Sequence, residues 1–400
     1  MKRIYILYNQ PLSSVQGINY VNSSFVQGNK YLKEEGLVLD KIIGCDGVFD
    51  CKAANSLDTI GASSQKMSGT KEGGIKKIIK NVFSKESLIR GIVSAYSKWY
   101  KTARNTLAFY KDLQDEPDYI IFQDPQTALY FFKEYPITKI KTILILHCSD
   151  HPMEQDKSSL PGLFKCRRAV SLIQSHYDFV MNRVDKVVYL SQHAVEASVL
   201  PIEKKTYIFN GEEDLPDWHF KDVHTPYNMV CVGSMAWRKG QDVAIQALAK
   251  LSPEYLSKYI LHLIGAGPQM EELKTMVTFN KLEDNVKFYA SRNDVPALLE
   301  EMDLFILPSL SEGLPMSMIE ALRQGTFVIA TATGAIPEMI NDEIGIIVER
   351  NADSIAEALR KCVDEGKISK ERKLAARKQY LDKFTLNTMM KGYASLLKSL

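Results

Sequence analysis

Short runs of aliphatic and β-branched residues recur along the chain, alternating with longer stretches in which apolar positions return every three or four residues. In the first half the runs are RIYILY, YIIFQ (119–123), TILILH (142–147), KVVYL (186–190) and TYIFN (206–210). Such alternation predicts parallel strands joined by helical crossovers. The polar, proline-containing stretch GEEDLPDWHFKDVHTPY interrupts the pattern, which then restarts with NMVCVGS, YILHLIGAG, NVKFYA, LFILPS, TFVIAT and GIIVE. The expectation is an α/β protein of two domains, residues 1–206 and 207–383, followed by a last helix over 384–400.

Composition narrows this little but excludes several classes. A chain of 400 residues exceeds what one core usually serves, and 45% hydrophobic with 24% charged residues is ordinary for a folded protein. No apolar run approaches the roughly 18–20 residues of a membrane helix. The apolar start of the chain is too short for a secretory leader, so a cytoplasmic protein is expected. The six cysteines contain no CxxC pair and the seven histidines no HExxH, which argues against a disulfide framework or a zinc site. The net charge of +2 conceals an asymmetry: residues 71–111 hold ten Lys/Arg against two Glu, and the remainder is acidic.

Open parallel sheets bind ligands beyond the carboxyl ends of their strands, so the residues following each run carry the chemistry. VCVGSMAWRKGQDVAIQAL is a strand, a turn with Gly233, and then Arg238, Lys239 and Gly240 opening a helix. Helix N-terminal amides with two adjacent cations form a place for a diphosphate. LHLIGAGPQMEEL is a second strand, glycine turn and helix, with Gly265 in the turn. No GxGxxG follows the first strand, which disfavours NAD or FAD. No Asp-x-Asp occurs anywhere, which disfavours a metal-bridged nucleotide sugar. SEGLPMSMIEALRQG places Glu312 on a loop and Glu320 on the helix behind it, eight positions apart. A carboxylate on an otherwise apolar helix face is costly unless hydrogen-bond donors meet it, and a ribose diol would supply two.

Gly233 with Arg238-Lys239-Gly240, then LIGAGP, VKFYAS, DLFILPS, EGLPMSMIEALRQG and ATATGAIPEMI, occur in the order and spacing of the retaining glycosyltransferases of family four. The chain resembles that family strongly over about 200 residues of its C-terminal half and weakly before it. The resemblance implies a GT-B fold: two Rossmann-like domains facing across a cleft, with the C-terminal helix crossing back to the N-terminal domain. It assigns the nucleotide-sugar donor to the C-terminal domain and the acceptor to the N-terminal one. It maps ribose binding to Glu320, contact with the donor sugar to Glu312 and the amides of Gly313 and Leu314, diphosphate neutralisation to Arg238 and Lys239, and base contact to Ser291 and Arg292. Gly233 and Gly265 join the donor-binding set. In the N-terminal half it maps a sugar-proximal histidine to His147 and a phosphate-approaching glycine to Gly17. Two departures stand out. Ser234 occupies a position where the family often has arginine, and one glycine replaces a pair near Gly17.

The implied activity is retaining hexosyl transfer, without cofactor or metal, from a UDP-linked donor to a saccharide acceptor in capsule, exopolysaccharide or other cell-surface glycan synthesis. Two alternatives stay open: a partner subunit that has lost catalysis, which retention of Arg238, Lys239, Glu312 and Glu320 argues against, and a GT-B nucleotide-sugar epimerase. Finally, GGIKKIIKNVFSKESLIRGIVSAYSKWYKTARNTLAFY places isoleucines near helical spacing among lysines, followed by Tyr96, Trp99 and Tyr100. A basic amphipathic helix of this kind fits an anionic membrane surface at the inner face of the cell membrane and a lipid-linked acceptor. A core-facing helix with a solvated cationic face is the competing expectation. Nucleic acid is not expected as a partner.

Overall fold

The computed structural model describes residues 1–12, 18–51, 87–148, 152–290 and 294–400. The chain divides into two compact units, one formed by Met1–Ile208 with Leu386–Leu400 and the other by Phe209–Thr385. Among the described residues no helix is long and apolar enough to cross a membrane.

The first unit is built on a seven-stranded sheet of β1 (Lys2–Leu7), β2 (Leu37–Gly44), β3 (Gly47–Asp50), β4 (Tyr119–Phe122), β5 (Lys141–Ile145), β6 (Lys186–Tyr189) and β7 (Lys205–Tyr207), in the order β3-β2-β1-β4-β5-β6-β7. All pairings are parallel except β2 with β3. The central strands are apolar beyond their first one or two residues because helices cover both faces. Tyr5, Leu7, Ile120, Phe122 and Leu144 are fully or almost fully buried with Phe131 and Val180 from the flanking helices. The helix Pro125–Glu134 starts where it does because Asp124 accepts from Thr127 N at 2.7 Å and Pro125 takes the first helical position. The last helix, Leu386–Lys398, belongs to this unit: Tyr393 packs on Phe25 with ring centroids 4.9 Å apart, and Lys398 pairs with Glu35 at 2.6 Å.

The aromatic residues of the basic segment do not all face outward as the amphipathic pattern predicts. Trp99 and Tyr100, in a π-helical turn, pack against the core of the first unit, and Tyr100 Oη meets His176 Nδ1 at 2.9 Å. The Tyr100 ring gains more from burial beside Trp99, Tyr130 and His176 than from water, and its hydroxyl finds its partner inside. The lysine-rich part of the expected helix, 75–85, lies outside the described residues.

The second unit carries β8 (Tyr227–Val232), β9 (Tyr259–Ile264), β10 (Val286–Tyr289), β11 (Leu304–Leu307), β12 (Phe327–Thr331) and β13 (Gly345–Val348), all parallel, in the order β10-β9-β8-β11-β12-β13. Its core joins Leu261, Leu263, Leu304, Ile306 and Ile329 to Ile355 and Leu359 of the helix Ala352–Asp364. Each such side chain contributes on the order of 1.5–3 kcal/mol by leaving water. Strand order reverses between β8 and β11, and a ligand crevice opens at such a switch point beyond the carboxyl ends of the two strands.

Candidate active site

Two loops meet at that switch point. After β8 the chain turns through Gly233 and forms a 3-10 turn, Trp237–Lys239, before the helix Gln241–Ala249. After β11 it runs through Pro308, Ser309 and Glu312 into the helix Met316–Arg323. The join requires a glycine: Gly240 has φ +76°, and a Cβ there would overlap the carbonyl of Pro308. Leu310 N donates to Arg238 O at 2.8 Å, which fixes the register of the two loops.

The side chains converge on Glu312. Lys239 Nζ lies 2.6 Å from Glu312 Oε1, Ser309 Oγ donates to the same oxygen at 2.6 Å, and Arg238 stands 3.6 Å from Oε2. Arg238 also donates to Ser311 O. The Glu312 side chain is 7% exposed, Lys239 13% and Arg238 50%, so the lysine is the shielded cation and the arginine the solvent-facing one. The stem of Lys239 runs past Gly233, with its Cε in van der Waals range of where a Cβ would stand. The end of β12 and the loop after it support the backbone that carries the carboxylate. Glu312 N donates to Thr333 Oγ1 at 2.8 Å, Thr331 Oγ1 donates to Ser309 O at 2.6 Å, and Ala335 N donates to Gly313 O at 2.8 Å. Gly334, at φ +58°, permits this: a Cβ would overlap the carbonyls of Glu312 and Gly313.

The residues singled out from sequence are thus distributed as follows. Arg238, Lys239, Glu312, Gly313 and Gly233 share one cluster. The neighbouring turn belongs to it through backbone bonds, Gly233 N to Ile264 O at 3.0 Å and Met235 N to Ala266 O at 3.1 Å, with Gly265 between them. Leu314 is buried in the loop, and Glu320 is buried on the following helix. Gly17, Ser291 and Arg292 lie outside the described residues. Ser309, Thr331 and Thr333 stand inside DLFILPS and ATATGAIPEMI, where the only signal they give is a hydroxyl at the last residue of a strand or two residues past its end.

His147 belongs to the first unit, two residues beyond β5. Its Nε2 donates to Gln123 Oε1, and Gln123 Nε2 donates to Asn22 Oδ1 at 2.9 Å. Gln123 directly follows β4, which neighbours β1 at the reversal of strand order in that sheet. Burial lowers the pKa of His147 to about 4, so the ring is neutral at physiological pH and offers an uncharged Nδ1 as acceptor. It cannot act there as a fixed cation.

Residues 216–379 match the family model of the glycosyl transferases group 1. Among curated relatives, the amylovoran biosynthesis glycosyltransferase AmsK of Erwinia amylovora is 27% identical over 243 residues, covering 57% of this chain and 56% of AmsK. The chain spans about half the length of the curated relatives it matches. Among solved structures, HepE of Anabaena in complex with UDP and glucose superposes with a TM-score of 0.67 at 15% identity over the whole of both chains. The sucrose-phosphate synthase of Thermosynechococcus elongatus does so with a TM-score of 0.70 at 16% identity, covering 100% of this chain and 99% of the other. The chain carries a glycosyl transferases group 1 domain, in a two-sheet α/β architecture of the GT-B fold.

Proposed function

We propose that the protein is a retaining, metal-independent glycosyltransferase that moves a sugar from a UDP-linked donor to a saccharide acceptor in the synthesis of a cell-surface polysaccharide. The observation that carries this reading is the Arg238–Lys239–Glu312 cluster at the β8/β11 switch point, beside the N-terminus of the helix Gln241–Ala249. Two cations and helix amides there suit a diphosphate without a bridging metal. The donor class draws support from the UDP and glucose bound by HepE, and the pathway class from the amylovoran assignment of AmsK.

In the proposed reaction the bond from the sugar C1 to the distal phosphate oxygen breaks. The acceptor hydroxyl oxygen forms the new bond to C1 on the same face, and its proton passes to the departing phosphate. Negative charge therefore grows on the diphosphate. Lys239 and Arg238 stabilise that charge, Glu312 and the Gly313 and Leu314 amides hold sugar hydroxyls, and Glu320 holds the ribose. His147, a neutral ring, is assigned the role of a hydrogen-bond acceptor toward substrate through its Nδ1. Catalysis is then positioning plus charge stabilisation.

Calorimetry in the presence of EDTA tests the donor assignment. UDP or a UDP-sugar is expected to bind, and Glu320→Ala to weaken that binding by about 1.5–3 kcal/mol through loss of a charged hydrogen-bond acceptor. Absence of binding by UDP-, GDP- and ADP-sugars alike would overturn the reading in favour of a non-catalytic subunit.

We further propose a lipid-linked acceptor reached from the inner face of the cell membrane. Leu88, Ile89, Ile92 and Tyr96 form an exposed apolar stripe on the helix Leu88–Ala95 and its continuation, with Arg90, Lys101 and Arg104 close in sequence. Vesicles containing phosphatidylglycerol are expected to carry the full chain upward in flotation, and Ile89→Asp/Ile92→Asp to leave it at the bottom. Equal recovery with neutral vesicles, or no flotation, would remove the membrane contact.

A further inference from the structure

We infer that Arg350 is a positioning residue for the phosphate-binding turn, acting through the backbone of Trp237 and Pro308. The inference rests on the donor-site reading above. Arg350 lies two residues past β13, at the edge of the second sheet and 111 residues along the chain from Lys239. Its guanidinium nevertheless joins the two loops of the site. Nε donates to Pro308 O at 3.1 Å, one terminal nitrogen donates to Trp237 O at 2.6 Å, and the group lies over the Trp237 ring, 4.8 Å from its centroid.

Each contact falls on an element that carries the proposed chemistry. Trp237 opens the 3-10 turn that holds Arg238 and Lys239, and Pro308 begins the loop that holds Ser309 and Glu312. A 3-10 turn of three residues has weak internal hydrogen bonding and needs external support to keep one geometry. Arg350 provides it at the first residue of the turn, as Gly240 does by close packing on Pro308 at the end. The indole is 55% exposed, an unusual setting for tryptophan, and the stacked guanidinium accounts for its orientation. A lysine cannot reproduce the arrangement, because it lacks both the planar fork and the stacking face. Neither Arg350 nor Trp237 is needed to contact the donor in this role. The chemistry they serve is recognition of a diphosphate by cations set in place beforehand.

A role in phosphate positioning and a role in general stability give different ligand profiles. Arg350→Lys retains the charge while removing the fork, so Coulomb attraction for any nucleotide is preserved. The full chain and its Arg350→Lys variant would be titrated with UDP and with UMP. The expected result is a loss of about tenfold in UDP affinity, from one hydrogen bond to the turn and one to the loop beside it, with UMP affinity within about twofold. In a chain carrying Trp99→Phe and Trp218→Phe, leaving Trp237 as the sole indole, the same substitution is expected to increase quenching by acrylamide before any ligand is added. Should that triple variant fold poorly, the ratio of UDP to UMP affinity in the otherwise native chain decides alone. Equal losses for UDP and UMP, or no loss for either, would overturn the inference while leaving the donor site intact. A native chain that binds none of UDP, GDP and ADP would overturn the donor-site reading and this inference with it.

Discussion

Replacing Lys239 by alanine is expected to lower turnover by about two to three orders of magnitude, the range seen when one preorganised donor is removed from a developing anion. The cation is suited to that role by its surroundings. Its ammonium is shielded, lies 2.6 Å from Glu312 Oε1, and is threaded past Gly233, so its position is fixed before the donor arrives. Arg238 is half exposed and its charge is more screened. Arg238→Ala is accordingly expected to cost less than Lys239→Ala, although Ser234 leaves Arg238 as the second cation of the turn. Single-turnover measurements at saturating donor separate this from weaker binding. Near-native turnover in the Lys239 variant would eliminate charge stabilisation at this turn as the source of catalysis.

How much of this could be read from the sequence differs sharply between local and distant features. The strands of the second unit and the loops that follow them are contiguous patterns, and Arg238, Lys239, Glu312 and Glu320 stand where the pattern of strand, turn and helix puts them. The β2–β3 hairpin was missed because Asp40-Lys41 breaks the run LVLDKIIG. In the fold the pairing of β1 with β2 skips Asp40, so the break is a bulge within a strand and not its end. Arg350 gave no signal at all. Its meaning comes from contacts with Trp237 and Pro308, 113 and 42 residues away, which only tertiary structure supplies. Gln123 occupies an intermediate position: the rule that strand ends carry function points at it, but its pairing with His147 needs the sheet order. In the charge run 71–111 spacing alone does not say which aromatic residues turn inward, and among the described residues Trp99 and Tyr100 do.

Glu312→Ala is the second large effect expected, and it differs in kind from the loss of Lys239. In the free protein the carboxylate holds both cations in place and is itself held by Ser309, while Thr333 holds the backbone of the same residue. Removing it frees Lys239 to reorient and leaves the Ser309 hydroxyl, which is fully buried, without an acceptor. A stability loss of about 1–3 kcal/mol is expected from that unsatisfied donor and the unpaired lysine, less than for a fully buried pair because Arg238 remains in water. Turnover should fall by about a hundredfold or more, because the same change loosens the cation that stabilises the leaving group. The two residues therefore act as a unit, and their effects should not add. In the double variant Lys239→Ala/Glu312→Ala, the loss of turnover is expected to lie close to that of Lys239→Ala alone, with part of the lost stability restored since no unpaired ammonium remains. Thermal unfolding and single-turnover rates of the four proteins complete the cycle. Strictly additive losses would mean that Glu312 serves the donor sugar independently of Lys239, and that their ion pair in the free protein is incidental to catalysis.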